Sequence, residues 1–210
     1  QLHLEGFKYQ GLAGENTPRD AKKRLEWLRR QPEFFPGTYD QLASVFRQMG
    51  LEDEAVQVMM AKQDDWIRSG TLSCGRRIWK RILGWTTGHG YQSWRSLIWL
   101  FAFFGIGFFL FRLGEWFGVF VPSSPPVLLS EAYQKSGKPP RGYPKFRPWL
   151  YSLDTLIPIV DLHQENFWLP ETVGIPGWVV YVHLRIHILL GWILSTLFVA
   201  SVTGLVRRIE

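Results

Sequence analysis

The sequence predicts an all-α membrane protein, built from a polar helical domain, two transmembrane helices and a re-entrant segment between them. Two uncharged apolar runs and one compositional split carry that reading. Residues 96–111 hold no charged side chain between Arg95 and Arg112, and residues 188–206 hold none before Arg207 and Arg208. Residues 1–95, by contrast, contain 15 of the 24 Lys and Arg.

The first run covers 16 residues, about 24 Å of helix against a hydrocarbon core of roughly 30 Å. Arg95 and Arg112 can snorkel outward, and the apolar path continues from Trp116 to Val121, so the first transmembrane helix is set at 96–121. The second, at 178–206, has Trp178, Tyr181 and Trp192 as interface anchors. A soluble core helix this aromatic would need a much larger protein around it. Two spans put both ends on one side, and the basic flanks at 76–81 and 207–208 make that side cytoplasmic. Lys135, Lys138, Arg141, Lys145 and Arg147, between the spans, do not outweigh them.

Ahead of the spans, residues 1–16 read as an extended lead-in, with Leu2, Leu4, Phe7 and Tyr9 before a Gly-containing turn. Residues 17–75 read as a cytoplasmic helical domain. Thr17 is the expected cap of its first helix, Pro18 the first helical residue, and Leu25, Trp27 and Leu28 its apolar face. After the break at 31–37, Thr38 is expected to cap a second helix carrying Tyr39, Leu42, Val45, Phe46 and Met49, which Gly50 ends. A third helix from about Glu52 should bury Ala55, Val56, Val58, Met59 and Ala61 on its way to Ile67. The phrases Met49-Gly50-Leu51 and Glu54-Ala55 within 39–68 resemble one tetratricopeptide-type hairpin. A lone hairpin leaves a face open, so it should pack on the first helix or on another chain. A three-helix adaptor and a peptide-binding repeat both fit.

Residues 76–95 form a basic amphipathic segment, with Arg76, Arg77, Lys80 and Arg81 set among Ile78, Trp79, Ile82, Leu83 and Trp85. Such a segment suits an anionic leaflet, with these four cations and Arg207 and Arg208 on lipid headgroups. The lipid bilayer therefore accounts for the net charge of +6. No basic stripe interleaved with stacking aromatics is present, so no nucleic-acid partner is expected.

Between the spans, 122–148 reads as an extracytoplasmic loop rich in Pro, Ser, Gly and Lys. In 149–168, Tyr151 to Ile157 should make two helical turns, Pro158 a break, and Ile159 to Gln164 an extended stretch. The segment is too short to span but apolar, and irregular backbone survives at membrane depth only where protein buries it or water lines it. Helix, break and extended stretch between two spans is the layout of tetrameric cation channels. The candidate pore region is Thr155, Pro158, Ile159, Val160, Asp161, Leu162, Gln164 and Glu165, in which Asp161 or Glu165 from several subunits would ring the entrance and attract ions. Ser195, Thr196, Ser201 and Gly204 suit either a pore wall or close helix packing. Asp154 suits an anchoring role more than proton transfer.

Tyr151-Ser152-Leu153-Asp154-Thr155-Leu156 resembles the pore-helix end of two-span potassium channels, and Thr196 to Arg208 resembles their pore-lining helix. The resemblance covers about 95–208 and implies a homo-oligomer of four subunits. Where those channels carry Thr-Val-Gly-Tyr-Gly-Asp, this chain has Pro158-Ile159-Val160-Asp161-Leu162-His163. Both glycines are missing, so conventional potassium selectivity is not expected. The phrases at 4–9, 24–28, 151–162 and 187–192 also make the chain similar to the C-terminal region of bacterial pentapeptide-repeat membrane proteins. That similarity implies a bacterial inner-membrane location and a right-handed β-helix ahead of residue 1, and the opening Gln-Leu-His-Leu-Glu suits a piece of a longer chain.

Gly-x-Ser-x-Gly, Gly-x-Gly-x-x-Gly, His-Glu-x-x-His and P-loop phrases are absent, so no catalytic residue, enzyme activity or cofactor is assigned. The single Cys74 excludes an intrachain disulfide and a thiolate metal site. His183 and His187 share a helical face and can ligate a metal, but no acidic or Cys partner is near, so an interfacial polar role is preferred and no metal is assigned. The expected function is an oligomeric, cation-conducting pore with a cytoplasmic regulatory or adaptor domain. The alternative is a non-conducting anchor or assembly module for an upstream domain.

Overall fold

The computed structural model describes residue 6, residues 8–12 and residues 19–204. Among these it is mostly helical, with ten helices and one two-stranded sheet. The chain divides into two compact units, one drawn from residues up to Ser93 together with Ser201 onward, the other Trp94–Ala200. The apolar positions 2, 4 and 7, and the basic pair 207 and 208, lie outside the described residues.

In the first unit, helix α1 (Ala21–Leu28) begins at Asp20 rather than Thr17. The Asp20 side chain accepts from the Lys22 amide at 2.8 Å, and Glu54 takes the Ala21 amide at 2.6 Å. Those two carboxylates satisfy N–H groups that a helix start leaves unpaired, which sets the start there; Thr17 and Pro18 are outside the described residues. Helix α2 (Pro36–Gln48) opens on Pro36, whose missing N–H costs nothing at a first position. Thr38, expected as its cap, already lies inside the helix and donates back to the Phe35 carbonyl at 2.7 Å. Gly50, at φ +75°, gives the left-handed turn between α2 and helix α3 (Glu52–Arg68).

The α2–α3 hairpin is covered by α1. Leu25, Leu28, Leu42, Phe46, Ala55 and Val58 are buried in one cluster, whereas Val56 and Met59 are only half-buried. Asp65 ties the three helices together, accepting from Arg29 at 2.8 Å, Tyr39 Oη at 3.0 Å and Arg68 at 3.2 Å. Burial, and then the neighbouring Asp65 carboxylate, raise the Tyr39 phenol above its ordinary pKa.

Helix α4 (Cys74–Thr87) ends on Gly88, which is left-handed. Of its expected headgroup contacts, Arg76 and Arg81 are exposed and Arg77 is half-buried, but Lys80 is only 8% exposed. Lys80 Nζ donates to Gln63 Oε1 at 2.6 Å and sits 4.6 Å from the Trp66 ring centroid. It joins α4 to α3 rather than reaching lipid, because a buried amide oxygen and an aromatic face replace its water.

In the second unit, helix α5 is Trp94–Trp116 and the last helix, α10, is Gly174–Val202. Their 23 and 29 residues make about 35 and 44 Å of helix, enough to cross a roughly 30 Å hydrocarbon core. Only 17% and 28% of their most apolar stretches are buried within the protein. A core helix of a soluble protein would be covered, so these bare apolar faces support a membrane location. Helix α5 does not continue to Val121. Gly118 turns the chain at φ +65°, and strand β1 (Phe120–Pro122) pairs antiparallel with β2 (Trp168–Pro170), with Val121 opposite Leu169. Between the strands lie the short helices α6 (Pro125–Leu128), α7 (Glu131–Ser136), α8 (Pro148–Leu156) and α9 (Gln164–Phe167). The 122–148 stretch is therefore partly helical.

Truncating Phe46, which has no solvent exposure, to Ala is expected to destabilise the first unit by about 3–5 kcal/mol through cavity formation. The half-buried Val56→Ala should cost clearly less. Denaturant unfolding of both variants in detergent, followed by circular dichroism, checks the difference.

Candidate functional site at helix α8

Pro148 starts α8 and Pro158 follows its end, so the helix is confined to nine residues. Tyr151, Ser152, Asp154, Thr155 and Leu156 are buried. Ser152 Oγ donates to the carbonyl of Phe104, near the midpoint of α5, at 2.9 Å. His187 Nε2 on α10 donates to the Ser152 carbonyl at 3.1 Å and lies 3.4 Å from Ser152 Oγ. That arrangement requires the Nε2–H tautomer and leaves Nδ1 an acceptor.

Glycines make this contact possible. A Cβ on Gly107 would stand 2.5 Å from both His187 Cε1 and Ser152 Oγ. A Cβ on Gly191 would overlap the Leu156 carbonyl, so the C-terminal end of α8 rests against α10 backbone past its midpoint. Helix α8 thus reaches the mid-length of both long apolar helices. Phe111 meets Tyr151 edge-on at 5.0 Å and His187 at 5.5 Å, and Phe120 stacks on Phe146 at 4.0 Å.

Beyond Leu156 the chain leaves the helix through Ile157, whose backbone is extended. It turns at Pro158 and Ile159 and enters α9 at Gln164. Asp154, 7% exposed, gathers the return. Its Oδ1 accepts from the Leu162 amide at 2.6 Å, and its Oδ2 from the Gln164 and Glu165 amides at 2.8 and 3.0 Å. Three backbone donors compensate a buried carboxylate and hold it in an anchoring role. The expected extended stretch from Ile159 to Gln164 is interrupted at both ends, since Ile159 lies in the turn and Gln164 opens α9.

The expected pore residues separate accordingly. Thr155 is buried and donates to the Tyr151 carbonyl at 2.6 Å, and Gln164 is buried and accepts from the Arg147 amide at 3.1 Å. Both are occupied inside the fold instead of facing a passage. Pro158, Val160 and Leu162 are half-buried, and Ile159, Asp161 and Glu165 are exposed. His163, at φ +60°, holds Nδ1 3.1 Å from Asp161 Oδ1. Partial burial, then the charges of Asp154 and Asp161, raise the Glu165 carboxyl above its ordinary pKa of 4.5.

On α10, Thr196 is exposed and Ser195 half-buried. Ser201 is buried, 2.8 Å from Ser93 Oγ and donating to the Gly90 carbonyl at 3.3 Å, so its hydroxyl serves packing. Gly204, at φ +74°, lies past the end of the helix. His187 is fully buried instead of interfacial, its ring 5.2 Å from that of His183. His187 Nδ1, His183 Nε2 and the Tyr151 hydroxyl have no hydrogen-bond partner. No group of three or more His, Cys, Asp or Glu is arranged to hold a metal among the described residues.

Sequence reasoning missed Gly107, Gly114 and Gly191. One signal was available: Gly107 and Gly114, seven apart, share a face of α5, and a Cβ on Gly114 would meet Phe120 at 2.9 Å and Val180 at 3.0 Å. No family model, curated protein or solved structure matches this chain.

Gly107→Ala is expected to destabilise the second unit by at least about 2 kcal/mol through overpacking. Gly105→Ala, with open space around it, should be neutral or slightly stabilising. Thermal unfolding of the pair in detergent measures this. Asp154→Ala should unprotect the amides of Leu162, Gln164 and Glu165 together, each losing a charge-assisted bond of about 1.5–3 kcal/mol. Hydrogen exchange read by mass spectrometry checks that outcome.

Proposed function

We propose that residues 94–204 form one subunit of an oligomeric, channel-like membrane pore, cation-conducting and without conventional potassium selectivity. The observation that supports this reading is the depth of α8: it reaches the middle of both long apolar helices through Ser152 and Leu156, then turns back. A short helix held at that depth leaves an irregular return loop, which a bilayer tolerates only if other copies or water cover it. Four copies round an axis supply such cover, with Asp161 and Glu165, both exposed, drawing cations to the entrance. The α1–α3 unit is then a cytoplasmic adaptor or regulatory domain, its α2–α3 hairpin of tetratricopeptide type, with both chain ends on the cytoplasmic face of a bacterial inner membrane.

A second reading is favoured by the Asp154 loop. Three of its amides are held by a carboxylate of the same chain, so the return loop is fixed without help from other copies, and the module would serve as an anchor or assembly device for an upstream pentapeptide-repeat domain.

Purified protein in liposomes separates the two. A pore predicts a tetramer whose cation flux falls several-fold with Asp161→Asn and Glu165→Gln. The flux should also fall with acidification, because the raised Glu165 carboxyl loses its charge at a pH above the usual Glu value, and Glu165→Gln should remove that step. A non-conducting monomer or dimer overturns the pore and leaves the anchor.

A further inference from the structure

Helix α4 presents two faces of different kinds. Lys80, Leu83 and Thr87 are buried against its own unit. Ile78, Trp79, Ile82 and Trp85 are 54%, 52%, 42% and 73% exposed, and at 100° per residue they fall within a sector of roughly 120°. Large apolar side chains exposed in one sector form a patch of the kind that marks an interaction surface. Arg81 flanks it roughly 40° beyond Trp85 on one side and Arg76 roughly 60° beyond Trp79 on the other.

Charge identifies the occupant. No Asp or Glu occurs anywhere from 66 to 114, so the patch is bordered by cations with no acid in the segment to offset them. A second copy of the same face would set arginine against arginine, which like-charge repulsion opposes. A leaflet of anionic lipid offers hydrocarbon under the tryptophans and phosphates beside the guanidiniums. Chain length adds a second argument. Only residues 89–93 lie between Gly88 and the start of α5 at Trp94, a reach of at most about 20 Å. The patch is therefore joined by a short length of chain to a helix long and apolar enough to cross a bilayer.

We infer that α4 lies flat in the headgroup region of an anionic leaflet, with Ile78, Trp79, Ile82 and Trp85 toward the acyl chains and Arg76 and Arg81 on lipid phosphates. Lys80 takes no part in this contact. Its bond to Gln63 and its place on the Trp66 ring set which face of α4 turns outward. The inference holds for a conducting and a non-conducting module alike.

Cys74 is the only cysteine, so a Cys74→Ser background admits single spin labels in the full chain. Labels go at 78, 79, 82 and 85, with Gln57→Cys, an exposed site on α3, as the water-facing control. The chain is reconstituted in nanodiscs of phosphatidylcholine alone or with phosphatidylglycerol. In the anionic discs the four labels should collide with oxygen in preference to a water-soluble nickel chelate, while position 57 keeps the reverse order. Two arginines at an anionic surface should make the preference roughly thirtyfold stronger than in neutral discs, and Arg76→Glu with Arg81→Glu should abolish that difference. Chelate access at all four positions in both lipids would overturn the inference. So would protection that ignores lipid charge and comes with dipolar broadening between labels, which would identify a second copy as the cover.

Discussion

Everything in the second unit depends on how a short helix is held between two long apolar ones. Ser152 Oγ donates to the Phe104 carbonyl and His187 Nε2 donates to the Ser152 carbonyl, both side chains fully buried. In a low-dielectric setting such bonds are strong, and their loss leaves costly unpaired groups. They form only because Gly107 and Gly191 bring backbone and side chain within contact distance. The polar pin and the glycine seats are thus one device, and the aromatic cluster of Phe111, Phe120, Phe146 and Tyr151 packs around it.

Asp154 carries the same logic to the return loop. A carboxylate on the last turn of α8 collects three amides from residues 162 to 165, and the chain is delivered into α9 and β2 without a glycine-rich stretch. A loop whose amides are bound to a buried carboxylate is held by charge-assisted hydrogen bonds within its own chain. Asp161 and Glu165 stay exposed beside it; partial desolvation first, then the charges of Asp154 and Asp161, raise the Glu165 carboxyl.

The first unit uses charge to opposite effect on its two sides. Asp65 gathers Arg29, Arg68 and the Tyr39 hydroxyl at the junction of three helices, and Lys80 is drawn inward by Gln63 and Trp66. Of the remaining cations of α4, Arg76 and Arg81 are exposed and Arg77 is half-buried. A basic helix can therefore expose apolar residues and bury a lysine at once, because the bond each cation makes decides its place more than the sign of its charge does.

Much of the architecture was legible from residue order alone. The two uncharged runs announced α5 and α10, the 3.6-residue spacing of Tyr39, Leu42 and Phe46 announced the hairpin, and Pro158 announced the end of α8. These features are local, set by periodicity and by backbone chemistry within a few residues. What spacing could not decide was which side chain meets which across the fold. Asp154 reaches amides eight to eleven residues away, Ser152 and His187 lie 35 apart, and Lys80 finds Gln63 on another helix. Long-range contacts hold Gln164 and Ser201 in the interior, Ser201 in the packing role its type allowed, while Thr155 is buried on the Tyr151 carbonyl of its own helix. The sequence by itself determined the helices and the apolar surfaces that favour a membrane, since burial follows composition. Only the tertiary structure decided how the segment between the long helices is held, because that rests on close backbone approach and on hydrogen bonds between distant residues.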